Sequence, residues 1–266
     1  MQAPASTLAL LQAGAGGTWT DAWPAWLVAA SRWGPLLLAA LAALLVVRAL
    51  LRRRLYRAEG VLDEAGAASV RAAIAQAERG SRGELVVVVL ERSDEHPDTA
   101  WLAGLCAMLL GTALLVARLP WQRPELVLAA QLALGTAGWL LARALPDVAR
   151  LFLGERRATE MAHEQALQEF QRFGLSRTAG GTGVLLFVSL FEHRVVVLGD
   201  TAIHAKVGDA HWDATTRAVL QEVEHGRLAD GLRAGVEASG RVLAEHFPAA
   251  PGDRNELPDH LILRRR

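Results

Sequence analysis

The chain has 266 residues, 52% of them hydrophobic, and its 28 Lys and Arg are balanced by 28 Asp and Glu. That balance argues against a nucleic-acid binder, which would carry a basic excess. The single cysteine, Cys106, excludes an internal disulfide and a cysteine-rich zinc cluster.

Residues 1–32 read as a flexible leader whose first 21 positions carry one charge, Asp21. The leader lacks the basic start of a signal peptide. Residues 33–51 are apolar except for Arg48, a length suited to crossing a bilayer, with Arg48 expected to snorkel from the helix end. Arg52, Arg53, Arg54 and Arg57 follow, against Arg32 alone on the other side. The positive-inside bias then places the N-terminus outside and residue 52 onward in the cytoplasm, in a multi-pass protein of the inner membrane. Trp19, Trp23, Trp26, Trp33, Trp101, Trp121 and Trp139 lie in or beside apolar runs, as interfacial belts require.

The spacing of Leu62, Val70, Ala73, Ile74 and Ala77 predicts an amphipathic helix over 61–79, with Asp63 as N-cap and Gly80 as stop. A strand over 85–90 completes a first half-domain, 61–98. Its polar end, Ser93-Asp94-Glu95-His96-Pro97-Asp98, reads as a solvated turn with Asp98 capping the next helix, or as a metal or headgroup contact. Residues 99–117 and 126–142 carry no charge and are joined by a short turn with two prolines, which predicts a transmembrane hairpin. Gly104, Gly111, Gly135 and Gly138 suit close helix packing there.

The second half-domain, 156–248, opens with an amphipathic helix over 158–173. Val184–Val188 and Val195–Leu198 are apolar runs that predict an antiparallel hairpin of buried strands, with Glu192-His193-Arg194 as a plain corner. Gly180-Gly181-Thr182-Gly183 precedes a strand instead of following one, so it is not a phosphate loop. Two helices follow, one lined by Trp212, Thr216, Val219 and Val223 and one by Leu228, Leu232, Val236, Leu243 and Phe247. Residues 249–266 form an extended tail rich in proline and charge.

A hairpin crosses twice and returns the chain to its starting side, so both halves can close into one domain. Strand 85–90 then pairs beside 184–190, and a right-handed crossover makes the pair parallel. Asp94, Glu192 and His193 fall at the membrane end of that sheet. Glu84 and Asp200 fall at the far end, open to solvent, with His204 and Asp209 nearby. Paired carboxylates of this kind suit Ca²⁺ or Mg²⁺, and a bound metal would orient a phosphoryl group. Glu84, Asp200, His204 and Asp209 are the candidate ligands; the alternatives are solvated strand ends, an exposed histidine and a helix N-cap at Asp209.

Several segments together resemble the TPM domain family, named after a thylakoid lumen protein, a photosystem-repair protein and a nematode receptor subunit. They are Ser81–Val88, Phe173-Gly174-Leu175, Gly183–Leu190, Arg194–Asp200 and Gly226–Leu232. More closely, the chain resembles short bacterial membrane members with a helical hairpin inserted after the first strand. The resemblance implies an α/β/α sandwich with a small mixed sheet, here interrupted by the hairpin and preceded by a transmembrane helix. It also implies divalent-metal binding in some members, a proposed phosphatase activity in plant relatives, and assembly or repair roles in others. Asp200 matches the family's acidic strand-end residue, and no catalytic residue carries over. The expected function is a membrane-anchored, non-catalytic interaction or assembly role, with the bilayer and another membrane protein as partners. The alternative is a divalent-metal-dependent phosphatase-like hydrolase.

Overall fold

The computed structural model describes residues 25–52, 56, 61–115, 119, 123–178, 180–207, 209–249 and 260–264. Most of the expected leader lies outside these residues, as do Trp19, Trp23, Trp121, Arg53, Arg54 and Arg57. In chain order the elements are α1 (Ala25–Arg52), α2 (Glu64–Arg79), β1 (Glu84–Leu90), α3 (Pro97–Leu115), α4 (Pro124–Ala144), α5 (Pro146–Leu151) and α6 (Glu155–Arg172). After a short 3-10 turn come β2 (Gly183–Ser189), β3 (Arg194–Gly199), α7 (Thr201–Val207), α8 (Asp209–Glu224), α9 (Leu228–His246) and β4 (His260–Arg264). The chain divides into two compact units, residues 1–48 with 100–148 and residues 49–99 with 149–266.

The first unit is built on α1, α3 and α4. Among the described residues, Trp33–Leu51, Pro97–Leu115 and Pro124–Ala144 are long and apolar enough to cross a membrane. Their outward leucines, such as Leu44, Leu110 and Leu132, are exposed. Close approach of α3 and α4 depends on small residues: a Cβ on Gly104 would stand 2.9 Å from the Gly135 carbonyl oxygen. Arg48 does not simply reach outward as expected. Its Nε lies 3.6 Å from Oδ1 of the buried Asp147, so an ion pair ties α1 to α5.

The second unit is a three-layer α/β/α arrangement around a four-stranded mixed sheet of order β3-β2-β1-β4. β1 and β2 pair in parallel from Glu84↔Gly183 to Leu90↔Ser189, as the crossover argument requires. Every residue of both strands is buried. The reason is visible in the alternation. Leu85, Val87 and Val89 face one core with α2, α8 and α9, while Val86, Val88 and Leu90 face another with α6. β3 is antiparallel to β2. Asp63 caps α2 as expected, its Oδ1 accepting from Gly66 N–H at 2.7 Å. Glycine spacing on α9 lets two helices sit close, since a Cβ on Gly235 would meet Val219 at 2.8 Å and one on Gly240 would meet Ala77 at 2.7 Å.

The fourth strand corrects the sequence reading. His260–Arg264, expected as part of an extended tail, pairs in parallel with β1 from Val86↔His260 to Leu90↔Arg264. Five residues with three apolar ones inside a proline-rich, charged stretch give too short a pattern to announce a strand.

Candidate functional site

The sheet has two ends, about 20 Å apart for strands of this length. At the end where β1 and β2 begin, Glu84 pairs opposite Gly183, and Asp200 N–H donates to the Gly183 carbonyl at 2.9 Å. The backbones of the two expected residues therefore flank one residue of β2. They are not open to solvent as expected, being 5% and 8% exposed. The 3-10 turn packs on this end, where Leu175 leaves no room for a Cβ on Gly183. Asp200 also starts α7: its Oδ1 accepts from Thr201 N–H at 2.7 Å and its carbonyl from Ile203 and His204. His204 lies on that helix and is exposed, as the alternative reading had it. Asp209 opens α8, and its side chain lies outside the described ones. Among the described residues no three His, Cys, Asp or Glu converge as metal ligands.

The opposite end holds a cluster that the sequence reading missed. The chain turns sharply after β1 and again between β2 and β3. Each turn contains a histidine in the left-handed region, His96 at φ 45° and His193 at φ 50°. Glu192 lies in the second turn and reaches the first. Its carboxylate accepts from Ser93 N–H at 3.1 Å, Asp94 N–H at 3.3 Å and His96 Nε2 at 2.6 Å, and from the hydroxyl of Ser189. Ser189 is 0% exposed, and Glu192 and His96 are each 1% exposed. A buried carboxylate without partners would be costly, and here every partner is a donor. Burial pushes the Glu192 carboxyl up, but the bonds from His96, Ser189 and the Ser93 N–H outweigh it and hold the group below the usual carboxylate range. With Glu192 ionised, His96 donates through Nε2, which leaves Nδ1 without a hydrogen-bond partner among the described residues, 3.9 Å from Asp94 Oδ2.

Two expectations are corrected here. The patch 93–98 is not a solvated turn, because Ser93 and His96 are drawn into the interior by Glu192. Asp98 sits inside the first turn of α3 and does not cap it. The Glu192-His193-Arg194 corner is more than a corner. The polar residue Ser189 closing an otherwise apolar run was the local signal, but the partner segment is 96 residues away in sequence.

This triad-like set is ordered wrongly for nucleophilic catalysis. The serine hydroxyl gives its hydrogen to the carboxylate and not to the imidazole, and no member is exposed to substrate. Chemically it is a clamp between two turns. Beside it, a cavity of ≈ 260 Å³ is lined by Tyr56, Val61, Arg150, Leu190, His193, Val223 and Glu224. The rings of Tyr56 and His193 stack at 6.1 Å.

A three-layer α/β domain whose sheet is closed by two sequence-distant halves is the class defined here. Residues 149–242 match the family model of the TPM domain, which bears out the resemblance over that stretch. No curated protein matches the chain. Among solved structures, the chain is similar to the BA42 protein from the psychrophilic bacterium Bizionia argentinensis, at 20% identity and a TM-score of 0.47. That likeness covers 76% of this chain and 94% of the other.

Proposed function

We propose that this chain is a membrane-anchored TPM-domain protein with a non-catalytic interaction or assembly role, its soluble unit in the cytoplasm. One observation carries the reading. The polar cluster of Ser189 with Glu192 and His96 is closed from solvent and spent on holding two turns together. Such a cluster confers rigidity on a binding surface and no turnover. The three apolar helices support the anchor, and the arginine bias supports the sidedness.

A second reading has a specific observation in its favour. The backbones of Glu84 and Asp200 lie on either side of Gly183 at one end of the sheet, and two carboxylates on neighbouring strand ends are the ligand type a Ca²⁺- or Mg²⁺-dependent phosphatase-like hydrolase would use. Thermal melting of the intact protein in lipid nanodiscs separates the two. Asp200→Asn is the useful variant because asparagine keeps the helix cap and removes the charge. The interaction role predicts that neither metal moves either melting point and that a generic phosphomonoester is not turned over. A metal at 100 times its Kd would stabilise by about 2.7 kcal/mol, several degrees for a unit this size. Such a shift in the wild type, absent from Asp200→Asn and accompanied by turnover, would establish the hydrolase instead.

A further inference from the structure

The cavity beside the clamp is used by neither reading above. Its volume, ≈ 260 Å³, falls just below the ~300 Å³ at which sites for drug-sized ligands begin, so it suits a small polar group. All its lining residues belong to the second unit. Leu190 and Val223 contribute apolar lining, and the polar lining is Tyr56, Arg150, His193 and Glu224. Arg150, near the end of α5, is half-buried, and its guanidinium has no hydrogen bond or ion pair among the described residues. Glu155 does not serve as its partner. That carboxylate is held below the usual range first by Arg194, its ion-pair partner, with smaller pulls from Arg150 and His193. Arg150 and His193 act on the same group, so they stand together on the wall.

Another part of the lining is acidic where a helix favours the opposite sign. α8 ends on Glu224 with no basic residue in its last turn, although a helix C-terminus stabilises cations and not carboxylates. Glu222, on the same turn, is paired with Arg227. Glu224 has no hydrogen bond or ion pair among the described residues. A cation lodged there would meet the carboxylate and the negative end of the helix together. The wall is also strained. His193 keeps φ 50°, a conformation that glycine or asparagine adopts more readily, and its ring stacks on the buried Tyr56. The Glu192 clamp, one residue away, fixes the turn that presents it.

Two wall residues are close in the chain to candidate spans. Arg150 lies six residues after Ala144, where the span Pro124–Ala144 ends, and the intervening Leu145 and single turn of helix reach no more than about 14 Å. His193 follows Glu192, whose carboxylate holds His96, the residue before the span Pro97–Leu115. We infer that the cavity is a site for the phosphoethanolamine headgroup of a membrane lipid. The phosphodiester accepts from Arg150, on the side shared with His193, and the primary ammonium donates to Glu224. A purely anionic headgroup would leave Glu224 facing like charge, and a choline headgroup has no N–H to give it. This goes beyond the interaction role proposed above and shares with it only the membrane anchor, so either can fail alone.

The test is native mass spectrometry of the full chain in mild detergent, with phosphatidylethanolamine, phosphatidylcholine and phosphatidylglycerol of matched acyl chains. The wild type should hold phosphatidylethanolamine about ten-fold more tightly than either of the others. Glu224→Gln should reduce that preference to about two-fold or less, and Arg150→Gln should weaken phosphatidylethanolamine binding about ten-fold. Arg150→Lys keeps the charge and should lose no more than about three-fold. A preference that survives Glu224→Gln, or is absent from the wild type, overturns the proposal, because the lipid then only rings the spans. Should a variant misfold, competition on the wild type decides. Glycerophosphoethanolamine at millimolar concentration should displace the lipid and glycerophosphocholine should not; displacement by both or by neither overturns the site. Glycerophosphoethanolamine binding as tightly as the lipid would make the ligand a soluble phosphodiester and overturn the lipid assignment. Metal-dependent turnover would remove the interaction role and leave this site as it is.

Discussion

Replacing Glu192 by glutamine keeps the side-chain volume and removes the charge from a site nearly closed to solvent. In the wild type the carboxylate accepts from Ser93 N–H, Asp94 N–H, His96 Nε2 and Ser189 Oγ. An amide offers one acceptor oxygen. Oriented toward His96 and the two backbone donors, it keeps those bonds without charge assistance, and the Ser189 hydroxyl must turn to accept. Each charge-assisted bond contributes about 1 kcal/mol more than a neutral one, and the lower desolvation cost of the amide offsets part of the loss. The net destabilisation is about 2–3 kcal/mol. For a unit of this size that lowers Tm by about 5–10 °C. Tryptophan fluorescence reports it, since Trp212 is buried in the core of the same unit.

The pH dependence follows from the direction of the Glu192 shift. Its folded-state pKa lies below the ordinary value of 4.5, so its contribution is fully present above that value. As pH falls through the lower folded-state pKa, the contribution is lost. The gap between wild type and Glu192→Gln should therefore be full at pH 7 and shrink below about pH 4.5. A glutamine variant melting within about 2 °C of wild type at pH 7 would refute the clamp. So would a gap that widens on acidification.

Gly174 has φ 70°, and a Cβ added there would meet nothing within 4 Å, so Gly174→Ala should cost about 1–2 kcal/mol from backbone conformation alone. Gly80→Ala is the matched control: φ is −90°, the nearest atom to an added Cβ is 3.7 Å away, and urea unfolding should show no loss or a small gain. Sidedness is read with His204→Cys in a Cys106→Ser background, because residue 204 is exposed whereas Asp200 is buried. An impermeant maleimide should label it only from the cytoplasmic side; labelling of intact cells from the periplasm would overturn the arginine argument.

Much of this architecture was legible in the residues. The strand Leu85–Leu90 and the run Val184–Val188 announced themselves because both faces of each are covered, which leaves no polar position to break the pattern. Parallel pairing followed from connection handedness. Three apolar stretches marked the candidate spans by length and lack of charge. The site was harder to read. Glu84 and Asp200 were correctly placed at one end of the sheet, yet their burial was not foreseen, because cover comes from layers that no local pattern specifies.

By itself the sequence determined periodicity: where the long helices and the strands other than β4 form, which segments avoid water, and where glycine frees the backbone. Only the tertiary structure decided which polar groups leave water and with whom. Glu192 and His96 are 96 positions apart, and Arg264 and Glu169 are 95 apart. Apolar burial follows from one residue's own chemistry, but a buried carboxylate is stable only if donors arrive from elsewhere in the chain. That condition is met by packing in three dimensions, and neither segment alone names its partner.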